Sequence, residues 1–256
     1  VCAGPTMFAG MLYALVKEAG EVLTEIPFPH WRRPLIGGAP LPAVLAWRME
    51  KLDLRPIQVW GMTETGGAGC YLGINESLAH PEAAGRPFTY SPVAVRGPHG
   101  KALTAGSPGQ ITIGGPQVCK TNYPGKAISA IEGQIETGDI GFIGEDGLLR
   151  LSGRASDVII SGGEHVFPAQ VEDALSTFPG IGQVAVIGLE DEYWGQRVCA
   201  VITGTATLKD IKAFLTGKLA AYKIPKQMIQ VSALPLNSAG KLSRQTLRQS
   251  LAARGE

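Results

Sequence analysis

Residues 60–67, Trp-Gly-Met-Thr-Glu-Thr-Gly-Gly, put a ring, hydroxyls, a carboxylate and three glycines behind the β-rich run at 55–60. Glycines at a strand end leave backbone N–H groups accessible, and such a concavity attracts phosphate. Thr63 adds a hydroxyl donor. Glu64 suits Mg²⁺, which combines one or two carboxylates with substrate phosphates. Trp60 offers a flat face for a base. A strand–turn–helix junction with merely capping polar groups would use the same residues. Gly38, Ala39 and Pro40 read as a glycine–proline turn. Asp139, between Gly138 and Gly141, can accept from both hydroxyls of a ribose, as acidic residues do in dinucleotide sites. An Asx turn explains it equally well. Arg154 is a rigid donor fork, and Gly162 with Gly163 allows close backbone approach. Lys241 follows a glycine between an extended segment and a polar helix, a place where a lysine is ordinarily just solvated.

These residues need elements to hold them. Of the 256 residues, 45% are hydrophobic and 18% charged, so the chain is expected to bury a core. Net charge is +1, which removes any bulk electrostatic reason to bind nucleic acid. No apolar run reaches the roughly 18–20 residues of a membrane span. The cysteines Cys2, Cys70, Cys119 and Cys199 stand singly, which argues against a zinc site or disulfide framework and for a reducing cytoplasm. Residues 6–19 repeat at helical spacing, placing Met7, Phe8, Met11, Leu12, Leu15 and Val16 on one face, with Thr6 as cap and Gly20 as stop. A strand, a helix after Pro42 and a strand at 55–60 follow, the order of an α/β parallel sheet. Residues 85–151 alternate in short runs between turns and predict a small antiparallel, barrel-like region. From 157 to 256 the pattern predicts a separate α+β domain. Pro168 opens its first helix, with Val171, Ala174, Leu175 and Phe178 inward. Thr207 and Asp210 cap a second, which buries Leu208, Ile211, Leu215 and Leu219.

Taken in order, GGAPLP, WGMTETG, ETGDIGF, GRASDVIISGGEHVFPAQVE and YKIPKQMIQVSALPLNSAGKLSR resemble the adenylate-forming superfamily of acyl-CoA synthetases, luciferases and peptide-synthetase adenylation domains. The resemblance covers nearly the whole chain. It implies that Gly38, Ala39, Pro40 and Trp60, with Gly61 and Met62 in the same motif, hold adenine. Tyrosine is more frequent in the family at the Trp60 position. Thr63 would contact the α-phosphate, Glu64 the magnesium, and Asp139 and Arg154 the ribose. Asp157 matches a hinge between a large domain, here 1–156, and a small mobile one, 157–256. Lys241 matches the lysine that bridges carboxylate and phosphate, and Gly162 and Gly163 border the pantetheine tunnel. The implied substrates are ATP, coenzyme A and a small carboxylic acid, and the implied reaction is AMP-forming acyl- or aryl-CoA ligation in the cytoplasm. A homodimer is compatible with this.

Two departures qualify it. His165 and Gln170 stand where asparagine and glutamate are frequent, with no catalytic consequence. The family's Ser/Thr/Gly-rich phosphate loop is absent from the 58 residues before Val59. The nearest lookalike, at 104–110, is followed by no lysine. With a start on Val1, this predicts the C-terminal portion of a synthetase roughly twice as long, or else a natural half completed by a partner chain. Two other activities stay open: acyl-adenylate transfer to a carrier protein or another acceptor, and a nucleotide-binding half without catalysis.

Overall fold

The 34 glycines cut the chain into short elements. A computed structural model describes residues 2–19, 30, 33–39, 41–121, 125, 128, 130–237 and 241–253. Two compact units divide between Leu151 and Ser152.

The first unit opens with β1 (Cys2–Ala3), α1 (Pro5–Ala19), β2 (Leu35–Gly37), α2 (Ala43–Lys51), β3 (Ile57–Trp60), β4 (Cys70–Leu72), α3 (Glu76–Ala79) and β5 (Arg86–Pro87). These strands form one sheet in chain order, with β1, β2 and β3 parallel and β4 and β5 antiparallel. Phe8 and Leu12 of α1, and Leu45, Ala46 and Met49 of α2, are buried with Ile36 of β2. Apart from Ala46, each such side chain contributes on the order of 1.5–3 kcal/mol. The expected α1 face is narrower than the spacing suggested, because Met7 is 69% and Val16 39% exposed. Thr6 lies inside α1 rather than at its cap. Pro5 takes the first helical position, where its missing N–H costs nothing. The predicted stop at Gly20 lies outside the described residues.

Next come β6 (Val93–Arg96), β7 (Gly109–Ile113), β8 (Ala130–Ile131), β9 (Gln134–Ile143) and β10 (Leu149–Arg154), in the order β10-β9-β7-β6 with β8 on β9. β7 pairs antiparallel with both β6 and β9, as the alternation predicted. This order has two ends, so among the described residues the sheet is open rather than a closed barrel.

The second unit contains β11 (Ile159–Ser161), β12 (Glu164–Val166), α4 (Pro168–Ser176), β13 (Ile181–Asp191), β14 (Gly195–Gly204), α5 (Leu208–Leu215), β15 (Gln227–Gln230) and α6 (Arg244–Ala252). β14 is central. Its Val198, Ala200 and Ile202 pack with Val171 and Leu175 of α4 and Ile211 and Leu215 of α5. Its alternate residues Cys199 and Val201 pack with Leu247 and Leu251 of α6. A strand covered on both faces reads as a continuous apolar run. The Thr207–Asp210 capping box forms as expected. The helix it starts ends at Leu215, earlier than the pattern suggested, and Gly217 follows at φ 80°.

Candidate functional site

In the first unit the site grows from the carboxyl ends of two neighbouring parallel strands, where α/β sheets characteristically bind ligands. Gly37 ends β2 and pairs with Val59 of β3, so Gly38 and Ala39 leave the sheet beside Trp60. Gly38 has φ 83°, left-handed backbone suited to glycine. Pro40 lies outside the described residues.

After Trp60 the chain enters no α-helix but returns antiparallel, with Trp60 opposite Cys70. The connection is a tight loop. The Met62 carbonyl accepts from the N–H groups of Thr65 at 3.0 Å and Gly67 at 2.9 Å. The Thr65 hydroxyl bonds Met62 N–H at 3.1 Å and Met62 carbonyl at 3.0 Å. Thr63, Glu64 and Thr65 form one 3₁₀ turn, ended by Gly66 in the left-handed region. A methyl group on Gly61 would collide with the Gly67 carbonyl, so the closed loop requires glycine there. Thr65 is fully buried while Thr63 is exposed and Glu64 half-buried, which leaves those two to meet a ligand. The Glu64 carbonyl accepts from Cys119 N–H at 2.7 Å, fixing that corner of the loop.

Asp139 reaches the same place from the second sheet. Gln110 faces Ile140 while Thr112 faces Glu136, so 137–139 bulge out of β9. Gly138 at φ 75° makes the bend. Bulges re-aim side chains next to functional sites. Asp139 is 9% exposed, and its Oδ2 accepts from Trp60 Nε1 at 3.2 Å. Two candidates separated by 79 positions in sequence are thereby joined. Among the described residues no cluster of three metal-ligating side chains forms. The Glu64 carboxylate suits a Mg²⁺ ion whose remaining ligands are substrate phosphate oxygens and water.

The other candidates belong to the second unit or its edge. Arg154 closes β10 and is exposed. Gly162 and Gly163, at φ 61° and 85°, form the two-residue turn between β11 and β12. The Trp194 ring covers Gly162, where an added methyl would come within 2.8 Å. Lys241 is exposed and adjoins the Leu236–Leu242 bridge. Its N–H donates to Asn237 Oδ1 at 3.0 Å, and its carbonyl accepts from Asn237 N–H at 2.7 Å.

Asp157 belongs to an ion cluster that residue patterns did not reveal. Arg244 Nη1 lies 3.5 Å from Asp157 Oδ2. Arg244 Nη2 is 2.5 and 2.6 Å from the two oxygens of Glu172. Burial pushes the Glu172 carboxyl up from its ordinary value, and the facing Arg244 charge opposes that only in part. Gln170, the departure in α4, accepts from Lys223 Nζ at 2.8 Å.

Comparison with known proteins decides the family. The AMP-binding enzyme family model matches residues 1–123, and the AMP-binding enzyme C-terminal domain model matches 170–241. The chain belongs to the AMP-binding enzymes. It is 35% identical to a 2-succinylbenzoate–CoA ligase of Geobacillus sp. (strain WCH70), over 97% of this chain and 52% of that one. It is also 35% identical to the long-chain-fatty-acid–CoA ligase FadD13 of Mycobacterium tuberculosis (strain ATCC 25618 / H37Rv), over 99% and 51%. Among solved structures, the o-succinylbenzoate CoA synthetase of Bacillus subtilis with its acyl-adenylate OSB-AMP superposes with a TM-score of 0.84. Identity is 29%, covering 96% of this chain and 50% of that one. The same enzyme with ATP and a magnesium ion gives 0.83. The chain thus spans about half the length of the curated relatives it matches.

Gly69 also escaped the sequence reading. It lies under the Trp60 ring, where an added methyl would come within 2.8 Å of Cε3. Its only sequence signal is membership of a glycine-rich loop, which does not say which glycine supports the ring.

Proposed function

We propose that these residues are the nucleotide- and acyl-activating part of a cytoplasmic, AMP-forming carboxylate–CoA ligase. The observation that carries the reading is the Trp60–Asp139 pair at the carboxyl ends of parallel strands, an aromatic face beside a buried carboxylate. That is the chemistry a nucleoside needs. Named CoA ligases among the relatives support it, and the four cysteines, dispersed singly along the sequence, agree with a reducing compartment.

In the proposed chemistry Trp60, Gly38 and Ala39 hold adenine, while Asp139 and Arg154 hold the ribose. Thr63 donates to the α-phosphate. Mg²⁺ held by Glu64 would offset phosphate charge. A substrate carboxylate oxygen attacks the α-phosphorus, and the bond to pyrophosphate breaks. Lys241 stabilises the charge that develops, and acyl-AMP forms. The thiol sulfur of coenzyme A then attacks the acyl carbon. The carbon–oxygen bond to AMP breaks, and the thiol proton leaves. Turning of the second unit about Asp157 alternates these half-reactions, with Gly162 and Gly163 beside the thiol path.

Carboxylate-dependent ATP–pyrophosphate exchange tests this, with 2-succinylbenzoate and long-chain fatty acids in the panel. In an enzyme of the relatives' length carrying these residues, Lys241→Ala should lower exchange about 10²–10³-fold. Unchanged exchange sinks the assigned role. A second reading, a half that binds nucleotide without turnover, is favoured by the coverage of about half of each relative. It predicts AMP binding by the 256-residue chain with no exchange.

A further inference from the structure

Trp60 does more in this geometry than present a ring. The indole Nε1 is a donor only, with one hydrogen and no capacity to accept. Here it is spent on Asp139 Oδ2, at 3.2 Å. The indole itself has little freedom. Gly69 lies against its Cε3–Cζ3 edge, and the ring packs on the buried cluster of Cys70, Val95, Ile111 and Leu149. Asp139 is steadied on its own strand. Its N–H donates to Thr137 Oγ1 at 3.1 Å, and that hydroxyl donates to the Ile111 carbonyl at 3.1 Å. The backbone of the bulge is therefore held on β9, and the carboxylate it carries is held by a ring from the other sheet.

Resting on the nucleotide reading above, we propose that Trp60 is the positioning residue for Asp139. Its indole N–H orients the carboxylate that receives the ribose, so preference for a ribonucleotide depends on Trp60 and not on Asp139 alone. A ring that only stacked on the base would act on every adenine nucleotide alike. A ring that orients Asp139 acts on those with ribose hydroxyls.

The test compares AMP with 2′,3′-dideoxy-AMP on the 256-residue chain. Trp60→Phe keeps a ring and removes the N–H. It should weaken AMP about tenfold, the scale of a hydrogen bond to a charged group. Dideoxy-AMP, which lacks the hydroxyls Asp139 would bind, should weaken only by the stacking that the smaller ring loses, several-fold less than AMP does. Asp139→Asn should likewise lose AMP more than dideoxy-AMP, and in the double variant the preference for AMP over dideoxy-AMP should be no lower than in Asp139→Asn alone. Equal weakening of both nucleotides by Trp60→Phe overturns the proposal, and so does an additive loss of that preference in the double variant. If the wild-type chain binds the two nucleotides equally, the ribose reading of Asp139 fails instead. One readout needs no ligand. The Trp60 indole ¹⁵N–¹H resonance, assigned by its loss in Trp60→Phe, should shift clearly in Asp139→Asn, with the other three indoles reporting an intact fold. A Trp60 resonance indifferent to Asp139→Asn overturns the proposal whatever binds.

Discussion

At the scale of single residues, the loop after Trp60 shows that glycines in one motif are not equivalent. Gly61 faces the Gly67 carbonyl so closely that a methyl group cannot enter without opening the loop. Gly66 has open space around its missing side chain and needs glycine only for its φ of 59°. Gly66→Ala is therefore expected to cost about 1–2 kcal/mol, the left-handed backbone penalty. Gly61→Ala should cost more, about 1–3 kcal/mol of overpacking, and should also weaken AMP, because the displaced loop carries Thr63 and Glu64. Urea denaturation of both variants alongside AMP titration checks this. Equal losses, with AMP binding intact, would mean that close approach does not explain the glycine at position 61.

Among elements, the clearest dependence is that of α4 and α6 on the Arg244–Glu172 pair. Removing one partner of this partly buried pair leaves the other without its counter-charge, at about 1–3 kcal/mol. Arg244→Met should therefore destabilise the chain at pH 7. The pH dependence follows from Glu172, whose carboxyl is already pushed up by burial. A raised carboxyl value means the folded state holds the proton more tightly than the unfolded one. Its stability contribution is complete below the ordinary carboxylate range and is lost as pH rises through the folded value. Deleting Arg244 pushes that value higher still. The deficit of Arg244→Met should thus shrink as pH falls towards 4. Denaturation midpoints at several pH values would decide it, and a deficit independent of pH would mean that Glu172 is not the charge left behind. Arg244 was visible in the motif after Lys241, but its partners sit 72 and 87 positions earlier, on no spacing that sequence periodicity reports.

For the whole molecule, the four thiols provide a check on both units at once. Cys2 and Cys119 are exposed, and Cys70 and Cys199 are buried. Burial pushes the Cys70 thiol up to about 12, which suppresses the reactive thiolate. A chromogenic disulfide reagent should titrate two thiols rapidly in the native chain and all four after unfolding. Rapid reaction of a third would show that the core of one unit opens readily. No helix among the described residues is long and apolar enough to cross a membrane.

The sequence by itself determined what depends on neighbours along the chain. The Thr207–Asp210 cap, the Pro168 helix start, the alternation of β6 and β7 and the ordered motifs are all of this kind. Turn chemistry and periodicity act within a few residues, so type and spacing reveal them. Local competition already blurs this, since Pro5 displaced Thr6 as the start of α1. Only the tertiary structure decided which glycine lies beneath the Trp60 ring, which carboxylates share Arg244, and that Trp60 hydrogen-bonds Asp139. The last two depend on segments far apart in sequence meeting across a packed sheet or helix face, and the first on how the short loop between β3 and β4 closes. The bond that joins the site is set by a bulge on one strand and a ring on another, and neither residue carries a sign of the other.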